Sequence, residues 1–98
     1  IAVDFMDLLA GSNFEIEEFK FTENIEKINT FVNQKDNNFN FSTSFEALLL
    51  ATKVSGKLIG NPKGKITLSP GMILIFLGSQ EQLANIREKL KDVLIKNE

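Results

Sequence analysis

The sequence predicts a small α+β domain, mainly one antiparallel sheet with helices packed on it, in the order β-α-β-β-β-α. Two short apolar runs, residues 47–54 and 72–77, have the length and composition of buried strands. Turn residues separate the two runs, and an amphipathic segment with its own N-terminal cap follows the second. With 98 residues and 43% hydrophobic content, the chain is long enough for one core and one domain.

Three turn signals set the path of the chain through the strands. Ser55-Gly56 lies between apolar residues, in the position of a two-residue hairpin loop. Such a loop forms a primed turn, which needs positive φ, and glycine supplies it. Asn61-Pro62-Lys63-Gly64 is expected to end the hairpin, because proline donates no ladder hydrogen bond. Ser69-Pro70-Gly71 predicts a type II turn with glycine at its third position. The strand that follows, residues 72–77, is expected to be central in the sheet.

Residues 14–21 alternate apolar and charged side chains, which predicts an acidic strand. The alternation changes phase between Glu17 and Glu18, so we expect either a bulge there or a strand that begins late. Glu15, Glu17 and Glu18 are weak candidates for the ligands of a hard divalent cation. The alternative interpretation of these carboxylates is a solvated acidic edge.

Two helices are predicted in the first third of the chain. Residues 1–9 have apolar side chains at roughly helical spacing, and Gly11 marks the stop. Thr22 is the expected N-cap of a second, short amphipathic helix that ends near Asn33. The apolar stripe of this second helix comprises Ile25, Ile28 and Val32, with Phe31 beside them.

The last helix is predicted from Ser79, which begins a capping box that Gln82 completes. Apolar residues follow at helical spacing, and charged residues occupy the other positions. The predicted buried stripe comprises Leu83, Ile86, Leu90, Val93 and Leu94.

Residues 33–44 form the longest break in periodicity and are rich in asparagine. Phe39, Phe41 and Phe45 nevertheless recur at every second or fourth position, on one face of an extended segment. Three phenylalanine rings are costly to leave in water. We therefore expect them in the core, at a subunit interface, for which Phe39 and Phe41 are the candidates, or in the wall of a ligand site.

Composition excludes several classes of function. The chain contains neither cysteine nor histidine, which removes disulfides, thiolate metal sites and the usual general base. We therefore do not expect an enzyme. Residues 1–46 hold nine acidic residues and three lysines, whereas residues 47–78 hold four lysines and no acid. These lysines indicate either an anionic ligand or protection of the strand edges. Without an arginine cluster or a basic pI, nucleic acid is not an expected partner.

The segment LLLATKVSGKLIGNPKGKITLSPGMILIFLGSQEQLANIREKL, together with the order of elements before it, resembles the C-terminal subdomain of RCK (TrkA-C) domains. These domains are regulatory modules of potassium channels and of Trk/Ktr-type potassium uptake systems. The resemblance covers residues 14–98. Residues 1–13 are similar to the linker helix that joins the preceding nucleotide-binding RCK lobe of channel proteins to this subdomain.

The resemblance implies a cytoplasmic gating or effector-sensing module at the inner face of the cell membrane, within a complex with a membrane potassium channel or transporter. It also implies a homodimer formed through this domain. Some related domains bind cyclic di-AMP at the dimer cleft, and others respond to divalent cations. No cofactor is expected in this fragment, because the nucleotide cofactor belongs to the preceding lobe.

The effector contacts that the resemblance implies are Phe45, Glu46 and Ala47 before the hairpin, and Asn61, Pro62 and Lys63 after it. Lys63 is the candidate for a phosphate contact. The alternative function is a purely structural dimerisation module without a ligand. Saturable binding of an effector separates the two, since only a sensor binds one.

Overall fold

The computed structural model describes residues 9–32, 38–60 and 62–95, and the statements below refer to these residues. They form a small α+β fold, mainly an antiparallel sheet with helices packed on it, which confirms the predicted class. Most of the predicted N-terminal helix, residues 1–8, lies outside the described residues. Leu9 and Ala10 are helical, and the Ser12 amide and hydroxyl both donate hydrogen bonds to the Leu9 carbonyl oxygen.

Six strands and three helices follow one another along the described residues. The strands are β1 (Phe14–Lys20), β2 (Asn38–Asn40), β3 (Leu48–Val54), β4 (Lys57–Gly60), β5 (Lys65–Thr67) and β6 (Ile73–Ser79). The helices are α1 (Ile25–Val32), α2 (Phe41–Ser44), which is a single turn, and α3 (Gln80–Lys89). The two short strands β2 and β5 are additions that the sequence did not predict.

The main sheet has the spatial order β1-β6-β3-β4, and all neighbouring strands are antiparallel. β6 is therefore an interior strand, as its apolar sequence predicted. β2 and β5 pair with each other in a separate two-stranded sheet, in which Phe39 lies opposite Ile66. This small sheet joins the connection before β3 to the elbow after β4.

Two of the three predicted turns are confirmed in detail, and Asn61 of the third lies outside the described residues. Ser55 and Gly56 have φ values of 51° and 79°, and the strands they connect are paired at Val54 and Lys57. Positive φ at both residues is the signature of a type I′ hairpin turn. Gly71 has φ 73°, and the Met72 amide donates a hydrogen bond to the Ser69 carbonyl oxygen at 3.3 Å, as a type II turn requires.

The predicted irregularity in β1 is wrong. β1 pairs with β6 in unbroken register from Phe14 opposite Ser79 to Lys20 opposite Ile73. Phe14 therefore lies on the opposite side of the sheet from Phe19, and the change of phase reflects two apolar faces rather than a bulge. The bulge lies in β3 instead, where the register with β6 shifts between Leu49 and Ala51.

The N-cap of α1 is Asn24 rather than Thr22. The Asn24 side-chain oxygen accepts hydrogen bonds from the Glu26 and Lys27 amides, at 3.0 and 3.4 Å. Thr22 lies two residues earlier, and its hydroxyl oxygen accepts from the Asn24 amide at 3.2 Å. Of the predicted apolar stripe, Ile28 and Val32 are buried, whereas Ile25, the first residue of α1, is 42% exposed.

The capping box of α3 is confirmed. The Ser79 hydroxyl oxygen accepts from the Gln82 amide at 3.1 Å, and the Gln82 side-chain oxygen accepts from the Ser79 amide at 3.0 Å. α3 ends at Lys89, earlier than the apolar stripe predicted. The chain then turns, and the Ile95 amide donates to the Lys20 carbonyl oxygen at 2.9 Å, which ties the C-terminal segment to β1.

One hydrophobic core fills the space between the main sheet, the helices and the small sheet. Alternate residues of β6, Leu74 and Phe76, are fully buried in it, with Leu83 and Ile86 of α3 opposite them. The other core residues are Phe19, Phe21, Ile28, Val32, Phe41, Ala47, Leu68, Met72, Leu90 and Val93. The sheet face that carries Leu74 and Phe76 is called the inner face below.

Candidate functional site

A cavity of about 390 Å³ lies where two segments distant in sequence converge. One is the bend at residues 45–47 that leads into β3, and the other is the elbow at residues 62–64 between β4 and β5. Five of the six residues expected to contact an effector line this cavity, namely Phe45, Glu46, Ala47, Pro62 and Lys63. The sixth, Asn61, lies outside the described residues.

The aromatic wall of the cavity is built by α2. This single helical turn sets Phe41 and Phe45 four residues apart on one side, and the Phe45 amide donates to the Phe41 carbonyl oxygen at 3.0 Å. The two rings lie nearly parallel, with centroids 5.9 Å apart and an interplanar angle of 22°. Phe76 packs edge-on against both rings, at 5.8 and 6.3 Å between centroids. The wall is therefore anchored in the core of the domain.

Another part of the cavity lining is supported by the pairing of β2 with β5. Ile66 of β5 lines the cavity and lies opposite Phe39 of β2. The Thr67 hydroxyl donates a hydrogen bond to the Asn38 side-chain oxygen at 2.7 Å, which fixes the register of this short pair. Because β5 follows the elbow directly, the pairing determines where Lys63 stands relative to the aromatic wall.

The rim of the cavity carries charge, whereas its floor is apolar. Lys63 and Glu46 are both exposed, and they line the cavity from different segments. Gly64 next to Lys63 has φ 70°, a left-handed conformation that lets the elbow turn tightly beneath the lysine. A flat apolar group can therefore pack on the half-buried Phe45 ring while an anionic group reaches the Lys63 ammonium.

The two interface candidates of the sequence, Phe39 and Phe41, lie next to each other, with ring centroids 4.7 Å apart. Phe41 is 1% exposed and belongs to the core of its own chain, so its ring has no surface left for a subunit contact. Phe39 is half-buried and contacts Phe31 and Phe45 as well. The spacing at every second position came from a short strand and a helical turn rather than from one extended segment.

The three weak metal candidates are not brought together. By their register with β6, Glu15 and Glu17 lie on the inner face of the sheet and Glu18 lies on the other face. Glu15 accepts a hydrogen bond from Gln80, and Glu17 forms an ion pair with Arg87 at 2.6 Å. Across residues 9–32, 38–60 and 62–95, no group of three acidic residues stands close enough to hold a metal ion.

Four cavity residues escaped sequence reasoning: Leu48, Leu49, Gly64 and Ile66. Ile66 reaches the cavity only through the pairing of two three-residue strands that are 27 positions apart. Strands that short have no periodicity of their own from which a sequence could predict them. Leu48 and Leu49 directly follow Ala47, the last of the predicted contact residues before the hairpin. Their adjacency to Ala47 in the sequence was the signal that could have predicted them as cavity residues.

No protein-family model matches this chain, and no curated protein or solved structure does either. Within the described part of the chain, none of the helices is long and apolar enough to cross a membrane. Support for a function therefore comes from the chemistry of the cavity together with the sequence pattern of residues 14–98.

Proposed function

We propose that this chain is a TrkA-C-like regulatory module of a potassium channel or Trk/Ktr-type potassium uptake system, located at the cytoplasmic side of the membrane. In this proposal the module forms a homodimer and binds a small effector. The observation that carries the proposal is the convergence of residues 45–47 and 62–63 on one cavity. These are the positions at which the resemblance to TrkA-C domains implies effector contacts.

The chemistry of the cavity suits one half of a cyclic dinucleotide such as cyclic di-AMP. A purine is flat and apolar on its faces, and it can pack against the ring of Phe45 and the apolar floor beside it. Lys63 supplies a cation for the phosphate. Cavities for small ligands usually measure about 300–1,000 Å³, so 390 Å³ suits one nucleotide unit rather than two. A two-fold dimer supplies the second cavity.

Regulation follows from the symmetry of such a complex. A ligand with two equivalent halves binds best when two copies of the cavity face each other at one separation. Because the ligand binds one arrangement of the two subunits more tightly than the others, its binding shifts the population towards that arrangement. The preceding lobe of each subunit transmits that arrangement to the membrane pore. The proposal thus assigns to this chain the part of a sensor and gives no role to catalysis.

Titration calorimetry of the chain with cyclic di-AMP tests the proposal, with light scattering to give the mass in solution. We expect saturable heat with one cyclic dinucleotide for every two chains, and the mass of a dimer. Lys63→Ala should weaken binding about tenfold or more, since hydrogen bonds to charged groups contribute about 1.5–3 kcal/mol. Lys57→Ala is the matched control, because Lys57 is an exposed lysine of β4 that does not line the cavity.

The other outcomes distinguish the alternatives. A dimer that gives no heat with cyclic di-AMP or with calcium would identify a structural dimerisation module without a ligand. Saturable heat with calcium alone would identify a divalent cation as the effector. A monomer that binds neither would contradict the proposal. Equal losses of affinity in Lys63→Ala and Lys57→Ala would mean that the ligand is held by the general positive field rather than by this cavity.

A further inference from the structure

The central strand of the main sheet is apolar on both faces, although the helices within residues 9–32, 38–60 and 62–95 pack on only one of them. Leu74 and Phe76 face the core and are fully buried. Ile73, Ile75 and Leu77 alternate with them and are half-buried. An antiparallel sheet that leaves one face in water normally carries polar residues there. This second face, called the outer face below, therefore has the composition of a surface that packs against a partner.

Cross-strand pairing sets the outer-face residues in three rows, because directly opposed residues of neighbouring strands share a face. The row at Ile73 has a lysine on each side, the row at Ile75 has one acid, and the row at Leu77 is apolar. From β1 through β6 to β3, the rows are Lys20, Ile73 and Lys53; Glu18, Ile75 and Ala51; and Ile16, Leu77 and Leu48. The outer face therefore has a basic end, an apolar end and one acid on the β1 side.

Two exposed apolar side chains extend the outer face at opposite corners. Leu58 of β4 lies opposite Lys53 and is 61% exposed. Phe14 of β1 lies opposite Ser79 and is 46% exposed. Leu9 lines the same cavities as Phe14 and belongs to the rim of that corner. A contiguous apolar surface of this kind marks a site at which another molecule packs.

We propose that a second copy of this chain packs on the outer face, with the strands of the two sheets nearly perpendicular and a two-fold axis along the diagonal from Lys20 to Leu48. Packed sheets are either nearly aligned or nearly orthogonal. For a two-fold axis that lies between the sheets, aligned strands require an axis along or across β6. Orthogonal strands require an axis along one of the two diagonals of the face. The charges of the outer face decide among these four directions.

Three of the four directions bring charges onto like charges or onto apolar side chains. An axis along β6 sets Lys20 over Lys53 of the second copy. An axis across β6 sets Glu18 over the same residue of the second copy. The diagonal through Lys53 sets Glu18 over Leu77. Each of these contacts costs free energy, because a charge is either repelled or loses its water without gaining a partner.

The fourth direction, from Lys20 to Leu48, sets Glu18 over Ile73 of the second copy. Lys20 and Lys53 of that copy flank Ile73 at the strand spacing of about 4.8 Å, so the carboxylate lies within reach of two ammonium groups. Symmetry repeats this contact. The two Lys20 side chains approach each other at one corner, and each of them lies beside a Glu18 of the other copy. The outer face is thus complementary in charge to itself.

The same axis also matches the apolar residues in size. Leu77 lies over Ala51 of the second copy, a large side chain over a small one. Leu58 of β4 is directed towards Phe14 of the second copy, so the two exposed corners cover each other. Both contacts remove apolar surface from water, which favours association.

The dimensions of the outer face indicate a weak dimer. Four strands span about 14 Å, and β6 from Ile73 to Ser79 spans about 20 Å. Standard interfaces bury about 800 Å² on each partner, which a face of this size does not reach by itself. The dimer should therefore depend on the concentration of the chain.

The axis also relates the interface to the candidate cavity. Leu48 lies on the axis and lines the cavity as well. The two cavities therefore meet at one corner of the interface, where one effector can bind across the axis. Effector binding and dimer formation then strengthen each other by the same factor. The inference rests on the homodimer of the proposed function and identifies its interface.

Sedimentation equilibrium of the chain, with and without cyclic di-AMP, measures the dissociation constant of the dimer. Glu18→Lys should raise this constant about tenfold, because the reversal acts at two symmetric positions. Glu15→Lys is the matched control, since Glu15 is an exposed acid of the same strand on the inner face. Lys53→Glu should also weaken the dimer. The double variant Glu18→Lys with Lys53→Glu should recover about threefold or more of the loss, because the opposite charges meet again.

Two further variants test the apolar contacts. Leu58→Asp should weaken the dimer about tenfold or more. Ile59→Asp is its control, because Ile59 is the next residue of β4, is 46% exposed and lies on the other face. Ile75→Cys, on the axis, should give a cross-linked dimer with a short bismaleimide, since the chain contains no other cysteine. Asn85→Cys, exposed on α3, should not.

The outcomes separate this interface from the proposed function. A dimer that responds equally to Glu18→Lys and Glu15→Lys, or that Ile75→Cys fails to cross-link, would overturn the interface and leave the proposed homodimer standing. A dimer that shows the expected responses but gives no heat with an effector would support the interface and contradict the sensor. A chain that remains monomeric with and without cyclic di-AMP would overturn both.

Discussion

Gly78 is a position at which a single added methyl group should be felt strongly, because constrained atoms lie close to it. A Cβ atom at Gly78 would lie 2.9 Å from the Ala47 Cβ atom and 3.0 Å from the Gln82 side-chain oxygen. Both neighbours are constrained, because Ala47 is buried and the Gln82 oxygen accepts the capping hydrogen bond from Ser79. Gly78→Ala therefore requires either the bend before β3 or the cap of α3 to shift.

Overpacking of this kind typically costs about 1–3 kcal/mol. We expect a loss of about 2 kcal/mol in the free energy of unfolding, which lowers the melting temperature of a domain of this size by roughly 8–16 °C. Thermal unfolding followed by circular dichroism and calorimetry measures the loss. Because Ala47 also lines the candidate cavity, the same variant should bind an effector more weakly.

A double-mutant cycle shows whether the contact with Ala47 is the cause. Ala47→Gly alone should cost about 1–2 kcal/mol, from one buried methyl group and the added freedom of glycine. In the double variant the close contact is gone, so its loss should be smaller than the sum of the two single losses by about 1 kcal/mol. Losses that add to within about 0.5 kcal/mol would refute the reasoning.

Two further predictions concern α3 and the segment after it. Ser79→Ala removes the acceptor for the Gln82 amide and should lower the free energy of unfolding by about 1 kcal/mol. Ser79→Asp keeps an acceptor and should preserve the free energy of unfolding. Chemical denaturation measures both variants, and equal losses would contradict the capping role. The pKa of Lys91 is raised above 10.5, chiefly by its hydrogen bond to Glu88. Its contribution to stability is therefore present at lower pH and fades as the pH rises through that raised pKa. NMR titration should show the pKa of Lys91 falling towards 10.5 in Glu88→Gln, and an unchanged value would rule this cause out.

Local signals in the sequence predicted local structure well. The positive φ values at Ser55, Gly56 and Gly71 follow from the turn types that these residues and their immediate neighbours prefer. The capping box at Ser79 is of the same kind, since donors and acceptors lie three residues apart. The N-cap of α1 was missed because Thr22 and Asn24 are both good caps. The Thr22 amide donates to the Val93 carbonyl oxygen, and the Thr22 carbonyl oxygen accepts from the Gly71 amide. These bonds hold the Thr22 backbone outside the helix.

Structural features that depend on residues distant in sequence could not be predicted. The apolar residues of β1 fall on both faces of the strand, and in the sequence this pattern resembled a bulge. β1 pairs in unbroken register with β6, which is apolar on both faces, and the sequence of β1 alone does not show this. The aromatic wall at Phe41 and Phe45 depends on a helical turn of four residues, too short for a periodicity. Five of the cavity residues were expected through the family resemblance, and the convergence of their two segments is a property of the fold.

The bulge in β3 bears on how this chain is to be compared with others. Leu49 pairs with Phe76 and Ala51 pairs with Ile75, so Leu50 has no partner of its own in β6. A homologous chain one residue shorter here would retain every cross-strand pair on both sides of the gap. Its hairpin would superpose on that of β3 and β4, and so would the bend that leads to the cavity. Position 50 is therefore where a single-residue gap belongs in an alignment with such a chain. Residues before and after the gap should be compared with the partners that they pair with in β6.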